Sequence, residues 1–387
     1  MSKFFIILIT LLLYTALKAA QIWPNHRWLA ASLTIPFFVV MIGWNFMYRS
    51  DPAIFNSLWF EIAAWTGGII MGAWAAFVLF SIPLDLIGFL VGGYRKLTLE
   101  THDPARREFI SRSVHFSVMG VAGAIAGLGL VEVFRGPRVK KVSISVPNLA
   151  SSLKGLKIAQ ITDLHVGPTI RKGYVDDVVD QTNALNPDLI FVTGDMADGK
   201  MDALAEHMAP LGRLKSKYGV YYVTGNHEYY WGVNDFLAAT SKLGFISLVN
   251  ENKVIDIRGG KLMIAGIPDV VGSQFLPTHS IDLRKAMESN EKIDLKILLS
   301  HRPDTVMDAE PLGYDLQFSG HTHSGQFFPF SLLVPLVHKY YRGLNQHGRM
   351  QVYVNQGTGY WGPANRFTIP SEITSITLES AHEKSQG

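Results

Sequence analysis

The sequence predicts a mixed α/β (α+β) domain preceded by an all-helical membrane region. Charge density predicts the division: 16 of the first 134 residues are charged, about 12%, against 51 of the remaining 253, about 20%. Soluble domains carry about 25% charged residues, so only the second part approaches their composition. Beyond residue 134, short apolar β-rich segments alternate with helix-like stretches. This alternation is typical of a sheet that helices cover on both faces.

The overall composition excludes several classes of protein and site. The chain has 387 residues, with 35 Lys and Arg against 32 Asp and Glu. A net charge of +3 is too balanced for nucleic-acid binding through bulk charge, and none is expected. The sequence contains no cysteine, which excludes disulfides, thiolate nucleophiles, Cys-ligated zinc and iron–sulfur clusters. No obligate protein partner is predicted.

Four apolar runs lie in the first part, at 4–20, 29–48, 58–93 and 116–131. Each reaches or nearly reaches the ~20 residues that a membrane-spanning helix requires. We therefore expect residues 1–134 to form a membrane domain of about four transmembrane helices, and the chain to be an integral protein of the cell (inner) membrane. The first run also fits a cleaved signal peptide, and the short fourth run also fits a buried soluble helix.

The orientation in the membrane depends on two opposing groups of basic residues. The loop between the third and fourth runs is predicted to be cytoplasmic by the positive-inside rule, because it carries Arg95, Lys96, Arg106, Arg107 and Arg112. A second basic group, at 135–141, follows the fourth run and favours the opposite orientation. The pair Arg106 and Arg107 before a weakly hydrophobic run resembles a twin-arginine export signal, although an ordinary juxtamembrane basic cluster has the same composition. We expect the globular domain on the exported face.

The globular part is predicted to consist of three segments. Residues 135–155 form a linker and the first strand, residues 156–380 form the domain itself, and residues 381–387 form a polar tail. Strands are expected at 142–147, 156–162, 188–193, 219–224, 261–266 and 294–299. Helices are expected at 171–185, 201–213, 234–243 and 280–288.

Polar clusters rich in Asp, His and Asn follow four of these strand-like segments and a further short stretch at 315–318. They lie at 162–165, 194–198, 225–228, 300–301 and 319–323. In open α/β sheets the carboxyl ends of the strands hold ligands, so we expect these clusters to meet at one edge. They contain too many ligands for one ion. Oxygen and imidazole donors without sulfur suit Mn²⁺, Zn²⁺ or iron.

These clusters carry a resemblance to a known family. In order they are Asp-x-His, Gly-Asp-x-x-Asp, Gly-Asn-His-Glu, a single His and Gly-His-x-His. This set, spanning about 156–360, resembles the calcineurin-like metallophosphoesterases. With the apolar front end, the chain is similar to the subgroup of transmembrane proteins with a metallophosphoesterase domain. The resemblance implies a four-layer β-sandwich flanked by helices, rather than one open sheet, with a two-metal centre.

The resemblance also implies roles for individual residues. Transferred motif by motif, Asp195 bridges two metal ions, and His227 is the proton donor, oriented by Asp198. The family often has Asp where Glu228 stands, which leaves the part of Glu228 in orienting His227 open. The first ion is assigned to Asp163, His165 and His323, and the second to Asn226, His301 and His321.

The chemistry implied is hydrolysis of a phosphodiester or pyrophosphate by a hydroxide that bridges the two ions, with His227 protonating the leaving group. No covalent intermediate is needed. One candidate substrate is a lipid such as UDP-2,3-diacylglucosamine, on which some relatives of the subgroup act. The alternatives are a broad-specificity phosphodiesterase or phosphomonoesterase without lipid preference, and a membrane sensor or transport protein with a regulatory phosphoesterase-like domain.

The sequence offers two further hints about the substrate. An apolar stretch at 325–341 follows the last His motif, and it fits either a lipid contact or a loop that covers the core of its own domain. Arg302 and Arg366 fit either a clamp for a second phosphate or surface positions.

Overall fold

The computed structural model describes residues 2–32, 34, 35, 39, 43, 52–97 and 103–381. Most of the predicted second apolar run, 29–48, lies outside the described residues, and so does the tail from 382 onward. The helices of the first part are α1 (Ser2–Ile22), α2 (Arg27–Ser32), α3 (Pro52–Phe55), α4 (Leu58–Leu97) and α5 (Pro104–Arg135).

Two of these helices contain stretches that are long and apolar enough to cross a membrane, Leu58–Val91 in α4 and Glu108–Arg135 in α5. The apolar part of α1, Ile6–Ile22, is shorter. The part of the chain that the structure describes therefore contains two helices of spanning length, where the sequence predicted about four. The start of α5 is capped by Asp103, whose side chain accepts a hydrogen bond from the backbone N–H of Ala105 (2.9 Å).

A polar contact joins α1 to the two long helices. Lys18 is buried and forms an ion pair with Asp85 of α4, and its Nζ lies 2.8 Å from Nε2 of His115 of α5. Tyr14 donates a second hydrogen bond to Asp85 (2.7 Å). A charge among apolar helices is costly without a partner, so these contacts hold the three helices in one arrangement.

The globular part is built on two six-stranded sheets. The first has the order β1-β12-β2-β3-β4-β5, and its neighbours are parallel except β12 and β2. The second has the order β10-β11-β9-β8-β7-β6. The strands of the first sheet are β1 (Arg138–Val146), β2 (Lys157–Ile161), β3 (Leu189–Thr193), β4 (Val220–Val223), β5 (Ile246–Ser247) and β12 (Glu372–Ser380). Those of the second are β6 (Glu251–Ile257), β7 (Gly260–Gly266), β8 (Leu295–Leu299), β9 (Leu316–Ser319), β10 (Gly343–His347) and β11 (Met350–Val354).

The main core lies between the two sheets. Side chains of β3 alternate: Phe191 packs into this core, 5.3 Å from the ring of Phe318 in β9, whereas Ile190 and Val192 face helices on the outside. The helices on the outer face of the first sheet are α6 (Lys172–Ala184), α7 (Met201–Met208), α8 (Asn226–Trp231) and α9 (Val233–Lys242). The shorter helices after β7 and β8 are α10 (Gly272–Phe275), α11 (Leu283–Ala286) and α12 (Val306–Ala309). Of these, α11 and α12 cover the second sheet.

Two helix-covered sheets stacked on each other agree with the architecture that the resemblance implied. A single sheet, which the strand–helix alternation favoured, does not occur. All six predicted strands are present, but β1 begins at Arg138, inside the stretch expected to be linker, because Arg138 already pairs with β12. The helix expected at 201–213 is α-helical only to Met208 and continues as a 3₁₀ turn around Pro210. The helix expected at 280–288 is a single turn, Leu283–Ala286.

The topology brings the predicted motif loops together. β2, β3 and β4 are parallel neighbours in one sheet, and β8 and β9 are parallel neighbours in the other. Their carboxyl ends therefore lie at one edge of each sheet, and the sandwich places the two edges side by side.

Candidate metal centre

One group of facing ligand atoms comes from the loops after β2 and β9. Nε2 of His165 lies 3.0 Å from Nε2 of His323, and Oδ1 of Asp163 lies 3.3 Å from the same atom of His323. All three side chains are buried. Two imidazole nitrogens and a carboxylate oxygen directed at one point provide the donors that a divalent cation needs.

A second group comes from the connections after β3, β4, β8 and β9. Nε2 of His301 lies 3.2 Å from Oδ2 of Asp195 and 3.2 Å from Nδ1 of His321. The amide oxygen of Asn226 is buried and has no hydrogen-bond partner. A buried carbonyl oxygen without a partner is costly, and a cation bound beside it would provide the missing interaction.

Asp195 lies between the two groups. Its Oδ2 is 3.2 Å from Nε2 of His301 and 3.9 Å from Nε2 of His165. The two groups together hold six side chains besides Asp195, more than one ion can bind. The donors are carboxylate, amide and imidazole atoms, so the residues present fit two divalent ions of the Mn²⁺, Zn²⁺ or iron type.

The backbone that carries the ligands is strained. Non-glycine residues rarely adopt positive φ, and such strain concentrates at functional sites. Five ligand positions have it: Asp163 (φ 50°), His165 (52°), Asp195 (51°), His321 (72°) and His323 (47°). Glycines permit the close approach of these loops. A Cβ on Gly320 would lie 2.1 Å from Oδ2 of Asp163, and Gly194 itself has a φ of 88°.

Backbone and hydroxyl donors orient the two aspartates. The backbone N–H of His321 and the hydroxyl of Thr162 donate to Oδ2 of Asp163, at 3.0 and 2.7 Å. The backbone N–H of His227 donates to Oδ1 of Asp195 (2.9 Å), which leaves Oδ2 facing the histidines. Interactions of this kind fix ligand geometry before a metal binds.

Glu228 is buried, and its carboxylate accepts hydrogen bonds from three backbone N–H groups. The donors are Gly225 (2.7 Å), Asp195 (3.1 Å) and Met196 (2.7 Å). Glu228 therefore ties the loop after β4 to the loop after β3. In these contacts Glu228 orients the backbone of the two loops, whereas His227 is oriented by Asp198. Burial and the nearby charge of Asp195 raise the pKa of Glu228 to about 7, and bound cations would oppose this shift.

Asp198 contacts two histidines, one through each oxygen. Its Oδ1 is hydrogen-bonded to Nδ1 of His227, and its Oδ2 lies 3.1 Å from Nδ1 of His165. Burial alone would lower the pKa of His227, but the carboxylates of Asp198 and Asp195 raise it to about 9. A raised pKa favours the protonated ring, and Nε2 of His227 lies 3.8 Å from Oδ2 of Asp195, at the edge of the centre.

Two aromatic side chains flank His227. The rings of Tyr230 and Trp361 lie 5.6 and 5.9 Å from the ring of His227, and each side chain is 49% exposed. We call the side of the centre that carries these two half-exposed rings its open side.

Arg366 was considered from the sequence as a phosphate clamp or a surface residue, and the structure supports neither role. The side chain is fully buried and donates hydrogen bonds to the backbone carbonyls of Gln356 (2.9 Å) and Gly359. Its Nη2 also lies 3.2 Å from Nδ1 of His323. Burial and the charge of Arg366 lower the pKa of His323, which favours the neutral imidazole that binds metals. Arg302 is partly exposed, and its Nε donates to Asp269 (2.9 Å).

The nine residues predicted for the site from sequence motifs therefore lie together. Reasoning from the sequence did not find the positioning contact of Arg366 with His323. The only local sequence feature of Arg366 is that it is a basic residue in a stretch rich in Pro, Gly and aromatic residues.

The chain is similar to several known proteins. The model of the family described as calcineurin-like phosphoesterase matches residues 156–325. An uncharacterized metallophosphoesterase of Helicobacter pylori is 33% identical over 311 residues, which cover 79% of this chain and 80% of that protein. A Bos taurus protein named transmembrane protein with metallophosphoesterase domain is 35% identical over 273 residues, 67% of this chain and 61% of that protein. A Thermus thermophilus 5′-nucleotidase precursor structure aligns with 58% of this chain and 54% of its own, at 16% identity and a TM-score of 0.38.

Proposed function

Since the chain belongs to the calcineurin-like metallophosphoesterase family of metal-dependent phosphoester hydrolases, we propose that its metal centre hydrolyses a phosphodiester or pyrophosphate bond. Family members use a two-metal centre. In our assignment, Asp195 lies between the two ions. Asp163, His165 and His323 hold the first ion, and Asn226, His301 and His321 hold the second.

One observation carries this proposal. A single carboxylate oxygen, Oδ2 of Asp195, lies within 4 Å of a histidine nitrogen in each group, 3.2 Å from His301 and 3.9 Å from His165. Such a shared oxygen suits two ions about 3.5–4 Å apart, the spacing at which pairs of ions support in-line displacement at phosphorus.

The chain's own residues supply the proton transfer. When bound, the two ions would stabilise the negative charge of the phosphoryl group and acidify the attacking water. Nε2 of His227 lies 3.8 Å from Oδ2 of Asp195, and the raised pKa of the ring favours the protonated form, which would give its proton to the leaving oxygen. Asp198 holds the opposite ring nitrogen, Nδ1, and thereby fixes the orientation of the ring and favours its charged form.

The substrate is proposed by class. A phosphodiester or pyrophosphate attached to a lipid fits a catalytic domain joined to membrane helices, and UDP-2,3-diacylglucosamine is one example of this class. Hydrolysis of soluble phosphodiesters and phosphomonoesters without lipid preference is the alternative. A regulatory, non-catalytic domain is the third reading, and the complete ligand set argues against it because such a domain has no need of one.

We also propose that the chain lies in the inner membrane with the catalytic domain on the exported face. The basic residues at 95–96 belong to the carboxyl end of α4 and those at 106–107 to the amino end of α5, whereas β1 follows the carboxyl end of α5. The opposing basic residues at 138–141 belong to β1 of a long folded domain, and charges in long domains affect orientation less than those in short loops. A reporter fused to the C-terminus that is active only after export would test this orientation. Activity of a cytoplasm-specific reporter at the same position would contradict it.

Purified, metal-loaded protein tests the activity itself. We expect hydrolysis of an aryl phosphodiester and of a lipid pyrophosphate with added Mn²⁺, and a slower reaction with a monoester. Asp195→Asn should lose the activity with all substrates. Lys217→Asn, an exposed change at the amino end of β4, is the matched control. If the metal-loaded wild type hydrolyses none of the substrates, the proposal is wrong.

A further inference from the structure

An exposed apolar segment, Phe330–Val337, follows the last metal-ligand motif on the catalytic domain. Large apolar side chains of soluble domains are mostly buried, and contiguous exposed ones mark interaction surfaces. Five of the eight residues here are large, apolar and exposed: Phe330 (44%), Leu332 (62%), Leu333 (41%), Leu336 (79%) and Val337 (76%). Because these side chains are open, the segment does not serve as a cover for the domain's own core.

The segment begins at the long apolar helices. The ring of Phe328 lies 6.0 Å from that of Phe80 in α4. Phe327 is buried in a cluster with Ala76 of α4 and with Ala122 and Ile125 of α5. The exposed segment is therefore continuous with the surface of the two helices that are long enough to span a membrane.

The level of these contacts along α4 coincides with the expected edge of the bilayer. Apolar side chains of α4 are exposed from Ile82 to Val91, and Ala76 is buried against the globular part. At the amino end of α4, Leu58, Trp59 and Ile62 are also exposed, while Phe60 packs into the globular core. The far end of the span is marked by Arg95. A helix needs ~20 residues to cross the hydrocarbon region, so the other edge of the bilayer is expected at about residue 75 of α4. This position is next to Ala76, which packs in one cluster with Phe327. The apolar segment thus leaves the helices at the depth of the membrane surface.

A short chain of contacts connects this segment to the open side of the metal centre. Gln326, between His323 and Phe327, donates to the carbonyl of Trp361 (2.8 Å) and accepts from its backbone N–H (2.7 Å). The Trp361 ring in turn lies 5.9 Å from the ring of His227. Hydrogen bonds therefore connect the loop that carries the apolar segment to Trp361, which flanks the proposed proton donor His227.

From these contacts we propose that Phe330–Val337 inserts into the surface of the bilayer and that the metal centre acts on a phosphoester carried by a membrane lipid. This inference rests on the proposed hydrolase function and adds the segment through which the domain would reach a substrate held in the bilayer. Acyl chains stay in the bilayer beside the segment, while the headgroup phosphate enters between Trp361 and Tyr230. Aliphatic side chains beside a membrane-spanning pair suit lipid as the partner.

Membrane insertion is tested with site-directed labels. The natural chain has no cysteine, so Leu336→Cys and the control Lys217→Cys each carry one polarity-sensitive fluorophore in full-length protein in phosphatidylcholine vesicles. Lys217 is exposed and precedes β4, at the end of the sheet opposite the metal ligands. We expect lipid-borne nitroxide to quench the label at 336 and aqueous iodide to quench the label at 217. Equal iodide access at both sites would overturn the inference. So would shielding at 336 without lipid quenching, which indicates a protein partner or a second copy.

The substrate class is tested with two chromogenic phosphodiesters, soluble bis(4-nitrophenyl) phosphate and phosphatidyl-4-nitrophenol in phosphatidylcholine vesicles. The double variant Leu336→Asp/Val337→Asp changes two exposed side chains outside the centre. It should lower turnover of the lipid substrate at least about tenfold, because charged side chains insert poorly into the bilayer, and leave soluble turnover unchanged. Equal turnover of the lipid by wild type and variant would overturn the inference while the hydrolase function stands. Failure of the wild type on both substrates would instead refute the hydrolase function.

Discussion

The side chain of Asn365, on the catalytic domain, packs directly against Gly129 of α5. A Cβ on Gly129 would lie 1.6 Å from Oδ1 of Asn365, so only glycine fits there without movement. The next residue, Arg366, donates its backbone N–H to the carbonyl of Gly129 (3.2 Å) and places its guanidinium beside His323. A single residue, Arg366, thus contacts both α5 of the predicted membrane domain and His323, a candidate metal ligand.

The first prediction concerns this contact. Gly129→Ala should displace the loop that carries Asn365 and Arg366, and so lower both metal affinity and kcat. The double variant Gly129→Ala/Asn365→Ala should recover part of the loss, because the smaller side chain leaves room for the added methyl group. Hydrolysis rates and metal titrations of the two single variants and the double variant measure this coupling. Additive effects would show that the two residues act independently. Gly127→Ala, where a Cβ meets nothing within 4 Å, is the control.

A second prediction concerns the buried guanidinium of Arg366. Arg366→Lys keeps the charge but cannot reach the carbonyls of Gln356 and Gly359 together with His323. We expect metal affinity to fall about 10–100-fold, as is usual for residues that orient metal ligands, with the KM for substrate little changed. Excess metal should restore most of the activity. Arg349→Lys, at a side chain 89% exposed, is the control. Unchanged metal affinity in Arg366→Lys would refute the positioning role.

A third prediction concerns the role of His227 as proton donor, which is tested by comparing substrates with poor and good leaving groups. Removal of a general acid slows departure of a poor leaving group by about 10²–10⁴-fold and affects a stable anion such as 4-nitrophenolate much less. His227→Ala should therefore lose far more activity on an alkyl phosphodiester than on bis(4-nitrophenyl) phosphate, with metal content unchanged. The ratio of the two rates in wild type and variant is the measurement. An equal loss on both substrates would assign His227 another role.

A hydrogen bond joins the chain segment before α4 to the catalytic domain. Nε2 of His207 in α7 lies 3.0 Å from Oδ1 of Asn56, and burial and the charge of Arg171 lower the pKa of His207 below its ordinary value. At a pH above the ordinary pKa of histidine, the His207 ring is neutral in the folded and in the unfolded protein, so its titration does not change the stability. At a pH below the ordinary pKa, the unfolded chain binds the proton more readily than the folded protein does. The free energy of unfolding therefore falls as the pH is lowered.

We therefore expect the Tm of the wild type in detergent to decrease as the pH is lowered from about 7.5 to about 5.5, the range in which histidine titrates. The neutral variant His207→Gln should show a smaller decrease over the same range. His279→Gln serves as a comparison at another partly buried histidine with a lowered pKa. If wild type and His207→Gln lose the same Tm, protonation of His207 does not weaken the fold.

The ligand residues could be predicted from the sequence because their motifs are local and follow strands. Gly194 and Asp195, for example, come directly after β3, whose apolar residues predict it without any knowledge of the fold. The pairing of His227 with Asp198 joins residues that are 29 positions apart, and it followed only from the family resemblance.

Other features depend on contacts between distant parts of the chain. β12, the last strand, lies between β1 and β2 at the other end of the domain sequence, and no local pattern indicates that neighbour. Likewise, the place of Arg366 depends on packing against Gly129, more than 200 positions earlier. The second sheet became apparent only with β10 and β11, which the strand–helix alternation did not include.

The metal content of full-length protein, measured together with its hydrolysis of bis(4-nitrophenyl) phosphate, tests the central claim most directly. Metal-free protein titrated with Mn²⁺ should bind two ions per chain, and activity should appear as the second ion binds. Asp195→Asn should bind fewer ions tightly and lose hydrolysis, because Oδ2 of Asp195 lies between the two groups of ligands. One bound ion in the active wild type, or full activity in Asp195→Asn, would contradict the two-metal account.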